Sequence, residues 1–465
     1  MDPSSIKDKS FVSSIRNTDS SSRRAFLGTT ASLAALGLAG CSDDGNGNGN
    51  GTNTTDDPLA TETDDPMTTS TDGPTATTTD DPTATETEEP TTTEPMAAPD
   101  VPLLNYALTL EHLENAFYRD GLEEFSDDEL MNAEVLSGFG ERIRMEVPGY
   151  LQTVQAHEAA HVDALSATIE DLNGDPLGEG EYDFGYETPS EFLGVAQALE
   201  NTGVAAYAGA APQVVNNDVL ASAAGIHSVE ARHASFLNLV NGDSPYPNAV
   251  DEAMSIDEVL DVAGGFITSE VDPSAYELAD DRPMLERKVD DDTSDLDVLN
   301  YALTLEHLES AFYREGLETF SDDELMNAEV LSEFGEQVRM AVPEHLQTAG
   351  AHEAAHVDAL SATVQDLGGT PVEEATYDFG YETPSEFFAV AMALENTGVA
   401  AYKGAAPTVS NDDVFAAAIG IHSVEARHAA FLNELNGEVP FPDAVDEAMT
   451  MDEVTEIAGQ FIVEE

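Results

Sequence analysis

Twelve residues in this chain have the side chains and the spacing to hold metal ions. Glu111, Glu158, His161, Glu200, Glu230 and His233 form one set. Glu306, Glu353, His356, Glu395, Glu425 and His428 form the other. Tyr118 and Tyr207 accompany the first set, Tyr313 and Tyr402 the second. Every member of the second set lies 195 residues after its counterpart, so no insertion or deletion separates the two copies there. Carboxylate oxygens and imidazole nitrogens are ligands for divalent metal ions. Two adjacent cations repel each other, and four carboxylates neutralise that repulsion. The chemistry open to such a set is that of a two-metal centre.

The spacing says which elements must position these groups. Glu111 and Tyr118 are seven residues apart, nearly two helical turns, and so share a face. Glu200 and Tyr207 repeat that spacing. Glu158 with His161, and Glu230 with His233, are three apart and also share a face. Each copy therefore reads Glu-x6-Tyr, Glu-x-x-His, Glu-x6-Tyr, Glu-x-x-His, one element per long helix. Helix punctuation agrees. A first helix is expected from about Val101 to Asp120, stopping at Gly121. A second starts near Pro148, which fits a first helical turn, and ends at Asn173-Gly174. Thr188-Pro189-Ser190-Glu191 opens a third as a capping box, ending near Gly209 and Pro212. A fourth runs from Asn217-Asp218 to Asn241-Gly242. Ser126 with Glu129, and Ser255 with Glu258, cap two short helices. The loop from Asn173 to Glu187 is long for a hairpin between neighbouring helices and implies a crossover. Long β-rich runs are absent. The expected fold is all-α, with two tandem four-helix bundles.

At this point the chain resembles a known family. The full ligand pattern resembles the ferritin-like superfamily of di-iron carboxylate proteins. Leu110-Glu111-His112-Leu113-Glu114-Asn115-Ala116-Phe117-Tyr118 further resembles the exported ferritin-like domains related to desiccation-associated proteins. The resemblance implies that Glu158 and Glu230 bridge two metals. Glu111, Glu200, His161 and His233 would be terminal ligands, with Tyr118 and Tyr207 as hydrogen-bond donors behind them. In the second copy Glu353 and Glu425 would bridge. Glu306, Glu395, His356 and His428 would be terminal, with Tyr313 and Tyr402 behind. It implies two dinuclear centres, iron first and manganese as an alternative. The activity implied is oxidation of iron(II) by oxygen or peroxide, or peroxide removal.

Two other readings compete. His157-Glu158-Ala159-Ala160-His161 matches the zinc-protease motif HExxH, as does His352 to His356. It would need His157 as a ligand and Glu158 as a general base, and it leaves Glu111, Glu200 and the 227–233 segment unexplained. The third reading is a non-catalytic helical protein that protects the cell envelope. Single Glu-x-x-His pairs carry little weight in a chain with 92 acidic residues. The weight comes from the conjunction. Glu200 sits in a nearly uncharged helical stretch, where an unpaired buried carboxylate is costly and a metal relieves the cost.

Composition bounds the setting. The chain has 465 residues, 92 acidic and 16 basic, for a net charge of -76. Neither nucleic acid nor an anionic membrane surface attracts such a chain. Lys288 and Lys403 are the only lysines after Cys41. This resembles haloarchaeal proteins, in which molar salt shortens the Debye length to about 3 Å. Ser22-Arg23-Arg24-Ala25-Phe26-Leu27 resembles the twin-arginine export motif. The apolar stretch Ala25 to Gly40 is too short to span a bilayer and suits a signal peptide. Leu38-Ala39-Gly40-Cys41 resembles a lipobox, and Cys41 is the only cysteine. Residues 1–40 are thus expected to be a signal peptide, with lipid attached at Cys41. Residues 41–100, rich in Thr, Asp and Pro, lack the apolar surface to fold and read as a tether reaching about 45 Å. Asn50-Gly51-Thr52 and Asn53-Thr54-Thr55 are glycosylation sequons. Residues 101–268 and 296–465 are the two domains, joined by an acidic linker, 269–295. The duplication invites an internal pseudo-dimer. The expected location is the outer face of the cytoplasmic membrane, with metal ions and oxygen or peroxide as partners.

Overall fold

The computed structural model describes residues 98–269, 276 and 294–463. The expected signal peptide, the expected lipid-attachment site Cys41, the sequons and nearly all of the expected tether and linker lie outside the described residues. No helix of the described residues is long and apolar enough to cross a membrane.

Twelve α-helices make up the two repeats among the described residues. The first repeat contains α1 (Val101–Glu124), α2 (Asp127–Met131), α3 (Glu141–Asp171), α4 (Pro189–Ala210), α5 (Asn217–Val240) and α6 (Ile256–Ala263). The second contains α7 (Asp295–Thr319), α8 (Asp322–Met326), α9 (Glu336–Asp366), α10 (Pro384–Ala405), α11 (Asp412–Asn436) and α12 (Met451–Ala458). No strand forms there; isolated bridges join Tyr182 to Ile267 and Tyr377 to Ile462. In each repeat the first two long helices pack on each other, as do the last two. The 172–188 segment carries the chain across the bundle from one pair to the other.

Local signals account for most helix ends. Ser126 accepts from the Glu129 amide and Glu129 reaches back, a complete capping box, and Ser255 with Glu258 forms another. Thr188 caps α4 by accepting from the Glu191 amide. Two expected boundaries were wrong. Helix α1 does not stop at Gly121 but runs on to Glu124. Gly121 is there for close packing, because a Cβ at this position would lie 2.6 Å from Cζ of Phe192. Helix α3 starts at Glu141, not near Pro148, which sits inside it. Burial of Ile143, Val147 and Leu151 holds the helix together through the proline. Each such side chain contributes about 1.5–3 kcal/mol, enough to offset the one backbone hydrogen bond that Pro148 cannot make.

Helices α5 and α11 form the central contact between the two repeats. From Ala223 to Val240 every residue of α5 is buried. One face looks into its own bundle and the other meets α11 of the second repeat. Small residues allow the approach: Ala231 and Ala234 pack with Val204 against Val399, Ala426 and Ala429. Ser235 donates to the Arg427 carbonyl at 2.9 Å. Buried arginines tie the repeats on either side. Arg232 Nε reaches Asp446 at 2.8 Å and its Nη2 reaches Asn396 at 3.1 Å. Arg427 Nε reaches Asp251 at 2.7 Å and its Nη2 reaches Asn201 at 3.1 Å.

One residue of this region breaks the repeat symmetry at a cost. Glu434 stands where the first repeat has Leu239 and is buried. Burial, with Glu146 nearby and Arg142 only partly compensating at 4.0 Å, pushes its carboxyl up to about 8. Unfolded, the same group ionises near 4.5. Between those values the folded state keeps a proton that the unfolded state has lost, so stability falls as pH rises through the window. Replacing Glu434 by leucine should therefore stabilise the protein by about 1–3 kcal/mol at pH 8.5. The gain should shrink toward pH 5. Denaturant melts in high salt at the two pH values check this, and an equal effect at both would refute the electrostatic account.

Candidate metal centre

Four helices of each bundle deliver the ligand-type residues to one place. In the first repeat α1 brings Glu111, α3 brings Glu158 and His161, α4 brings Glu200, and α5 brings Glu230 and His233. All six are fully buried. They form two overlapping groups. Glu111, Glu158, His161 and Glu230 are one; Glu158, Glu200, Glu230 and His233 are the other. Within each group the donor atoms lie within 4.8 Å of one another. Glu158 and Glu230 belong to both. The second repeat repeats this, with Glu353 and Glu425 shared between a Glu306–His356 group and a Glu395–His428 group.

The imidazoles are aimed. His161 Nδ1 lies 3.1 Å from Glu111, 3.3 Å from Glu158 and 3.1 Å from Glu230. His233 Nδ1 lies 3.2 Å from both Glu158 and Glu200. One N–H cannot satisfy three carboxylates. Accordingly Glu158 Oε1 and both oxygens of Glu230 have no hydrogen bond of ordinary geometry. A donor set this rich in acceptors and short of protons fits cations.

The electrostatics say the same. Burial pushes Glu230 well above the usual carboxylate range, and the neighbouring Glu158, Glu200 and Glu111 push it further. Burial raises Glu111 to about 7, against the pull of His161. Burial would raise Glu158 too, but His161 and His233 together hold it well below its usual range. Burial disfavours the charged form of His161, yet Glu111 and Glu158 keep it protonated well above its ordinary range. The same contest leaves His233 at about 9, through Glu200 and Glu158. In the second repeat Glu306 rises to about 7 and His428 to about 9 for the same reasons.

Supporting groups fix the ligand geometry. The Tyr118 hydroxyl donates to Glu200 at 2.5 Å, and Tyr207 donates to Glu111. Each tyrosine thus holds the carboxylate of the opposite Glu-x6-Tyr helix. Tyr313 with Glu395, and Tyr402 with Glu306, repeat the exchange. His157 Nδ1 lies 3.0 Å from His233 Nε2, and His352 Nδ1 lies 3.1 Å from His428 Nε2. Burial and the His233 charge lower His157 to about 3, so it stays neutral and serves as an acceptor. This separates His157 from the carboxylate cluster. The HExxH reading needs His157 and His161 on one ion, whereas His157 turns to the far side of His233.

Some site residues were not legible beforehand. Glu114 and Glu309 are buried beside the clusters. Burial drives both carboxyls well upward, with Glu230 and Glu425 adding to the effect. Glu114 lies three residues after Glu111 and four before Tyr118, so helical periodicity could have placed it on the same face. Gly203 makes room: a Cβ there would lie 3.1 Å from Glu114 and 3.4 Å from Glu230. The backbone carbonyls of Ala444 and Ala249 had no sequence signal at all. They accept from His161 Nε2 at 2.6 Å and His356 Nε2 at 2.5 Å, each from the opposite repeat. A carbonyl can only accept, so Nε2 carries a proton and Nδ1 is the nitrogen that faces the carboxylates.

A family model described as the ferritin-like domain matches residues 99–243 and again residues 294–438. No curated protein matches the chain. Since the two matches together span more than half of the sequence, each over a full set of buried carboxylates and imidazoles, the chain belongs to the ferritin-like family and carries its domain twice.

Proposed function

We propose that this is an exported, lipid-anchored protein whose two repeats each hold a dinuclear metal centre, iron foremost. Each centre would oxidise iron(II) with oxygen or peroxide, or remove peroxide. The observation that carries the reading is the overlap of the two ligand groups in each repeat. Glu158 and Glu230 belong to both groups of the first repeat, and Glu353 and Glu425 to both groups of the second. Shared carboxylates are what two adjacent cations need to sit side by side.

Glu111 and His161 would complete one metal's donors, and Glu200 and His233 the other's. Glu306 with His356, and Glu395 with His428, take these roles in the second repeat. Bound there, a metal pair would supply redox chemistry toward oxygen or peroxide. The protein's part is positioning and exclusion. Tyr118, Tyr207, Tyr313 and Tyr402 lock the terminal carboxylates by hydrogen bonds. His157 and His352 hold the second imidazole of each cluster from behind. Burial keeps bulk water off the ligands. In the second repeat a small apolar cavity lined by Leu305, Leu360, Phe415 and Ile419 reaches Tyr402, and its lining suits a small uncharged molecule. Export and lipidation rest on the Arg23-Arg24 motif and Cys41. The acidic surface suits a protein that works in high salt.

Metal analysis of the chain purified in high salt should find about four iron or manganese ions per molecule, two for each bundle. Glu158→Ala with Glu230→Ala should remove about half of them. Unchanged metal content in that variant would refute the ligand assignment, and no metal after anaerobic iron(II) loading would favour a purely structural protein. Position 230 also bears on stability. Glu230→Gln should raise the melting temperature of the metal-free protein, because keeping a buried carboxyl protonated at neutral pH costs about 1–3 kcal/mol. A lower melting temperature would contradict the burial argument.

Proton bookkeeping supplies another check. In the metal-free clusters burial raises Glu111 and Glu230 toward the protonated form, and the neighbouring carboxylates raise His161 and His233 likewise. A cation must displace these protons. Loading in weak buffer should therefore release protons to an indicator dye, and affinity should drop from pH 8 to pH 6. Uptake without proton release would show that the clusters are not the binding sites.

A further inference from the structure

The segment that follows the fourth long helix of each repeat does not stay with its own bundle. After α5 the chain crosses to the second repeat. Tyr246 lays its ring edge-on to His428, 4.6 Å between centroids, and against Phe431 at 5.6 Å. The Ala249 carbonyl then accepts from His356 Nε2. The Asp251 amide donates to the Gly420 carbonyl at 3.1 Å, and its carboxylate takes Arg427. Only afterwards does the chain return, where the Met254 amide donates to the Ala205 carbonyl of its own α4.

The second repeat reciprocates. Phe441 packs edge-on to His233 at 4.9 Å. The Ala444 carbonyl accepts from His161 Nε2. The Asp446 amide donates to the Gly225 carbonyl at 3.2 Å, its carboxylate takes Arg232, and Met449 returns to Ala400. Two glycines make the crossing close. A Cβ at Gly420 would lie 2.7 Å from the Asp251 carbonyl oxygen, and one at Gly225 would lie 2.6 Å from Val445. Glycine inside a helix costs about 1 kcal/mol relative to alanine, and this contact is what it permits.

We propose that residues 245–251 and 440–446 are reciprocal straps, each of which sets the imidazole of the metal centre in the opposite repeat. This rests on the metal-binding reading above. The strap carbonyl fixes the tautomer and rotation of His161 or His356, so Nδ1 faces the carboxylates. The buried Arg–Asp pair anchors the strap to the helix that carries the other imidazole, since Arg427 precedes His428 and Arg232 precedes His233. Asp251 and Asp446 are thus positioning residues acting in trans. Each repeat supplies all six of its own ligand-type side chains, but the setting of one imidazole depends on the other repeat.

A cover that merely packs the interface would act on both centres alike, or on neither. The straps predict a crossed effect. Two full-length backgrounds read it out: Glu158→Ala with Glu230→Ala leaves only the second centre, and Glu353→Ala with Glu425→Ala leaves only the first. Manganese(II) binding is followed by loss of the free-ion paramagnetic resonance signal. Asp251→Asn, in the first repeat, should weaken binding to the second centre by about tenfold or more and leave the first within about twofold. Asp446→Asn should do the reverse. Weakening of the centre in the same repeat, equal weakening of both, or no change at either would overturn the proposal. Circular dichroism checks folding, and should Asp251→Asn unfold, Asp251→Glu takes its place with a smaller loss at the second centre alone. If neither background binds manganese(II) or iron(II) before the strap is touched, the metal reading fails first, and the straps with it.

Discussion

Uncompensated negative charge in a dry interior is the constraint on which this structure turns. Glu111, Glu114, Glu158, Glu200 and Glu230 converge on two imidazoles in one fully enclosed region. Isolated buried carboxylates are among the most expensive groups a fold can carry. Here they are held by helices that cannot relax, because each helix also buries a continuous apolar face. Protons partly settle the account when no metal is bound, which is why Glu230 and Glu114 titrate high while His161 titrates higher than a free imidazole. Divalent cations settle it better. The tyrosines fit the same logic, since Tyr118 and Tyr207 each donate one hydrogen bond to a buried carboxylate oxygen.

What could be read beforehand was local. A 195-residue offset, the Glu-x-x-His pairs and the Glu-x6-Tyr pairs are all intrahelical spacings, and a helix fixes such relations regardless of what surrounds it. Capping boxes at Ser126 and Ser255 likewise depend on four consecutive residues. The misread boundaries involve tertiary contact. Gly121 looks like a stop until Phe192 is placed against it, and Pro148 looks like a start until the buried face of α3 is known. Glu114 was hidden for a different reason. In so acidic a chain, one more glutamate on a helix carries no signal unless its face is traced. The straps were beyond reach, because His161 and Ala444 lie 283 residues apart and the contact uses a backbone carbonyl that any residue supplies.

The two repeats are copies, but not equal ones. Tyr246 covers the second centre where Phe441 covers the first. Burial and the nearby Glu395 and Glu353 hold the Tyr246 phenol well above its usual range, so it remains a neutral polar group against that centre. Lys403 replaces Ala208 and donates to the Asp446 carbonyl, reinforcing only the strap that serves the first repeat. Burial lowers this lysine from its usual range, with Asp446 opposing. Glu434 replaces Leu239 beside Arg142, again on one side only. These substitutions lie at the contact between repeats, where one chain can place different residues on the two sides of the same interface. Identical subunits cannot do that.

Fusion of the copies also explains a helix that would otherwise be misplaced. A helix of an ordinary surface bundle is apolar along one stripe and polar elsewhere. Helix α5 has no solvent-exposed face from Ala223 to Val240. Its inward side is occupied by Glu230 and His233, and its outward side by Ala231 and Ala234 packed on α11. A lone repeat would expose that alanine face, strand Arg232 without Asp446, and leave the far nitrogen of His161 without its acceptor. Tethering in one chain keeps the opposite copy at high effective concentration however dilute the protein is. With His161 and His356 each hydrogen-bonded across the interface, covalent fusion makes the setting of these imidazoles independent of association.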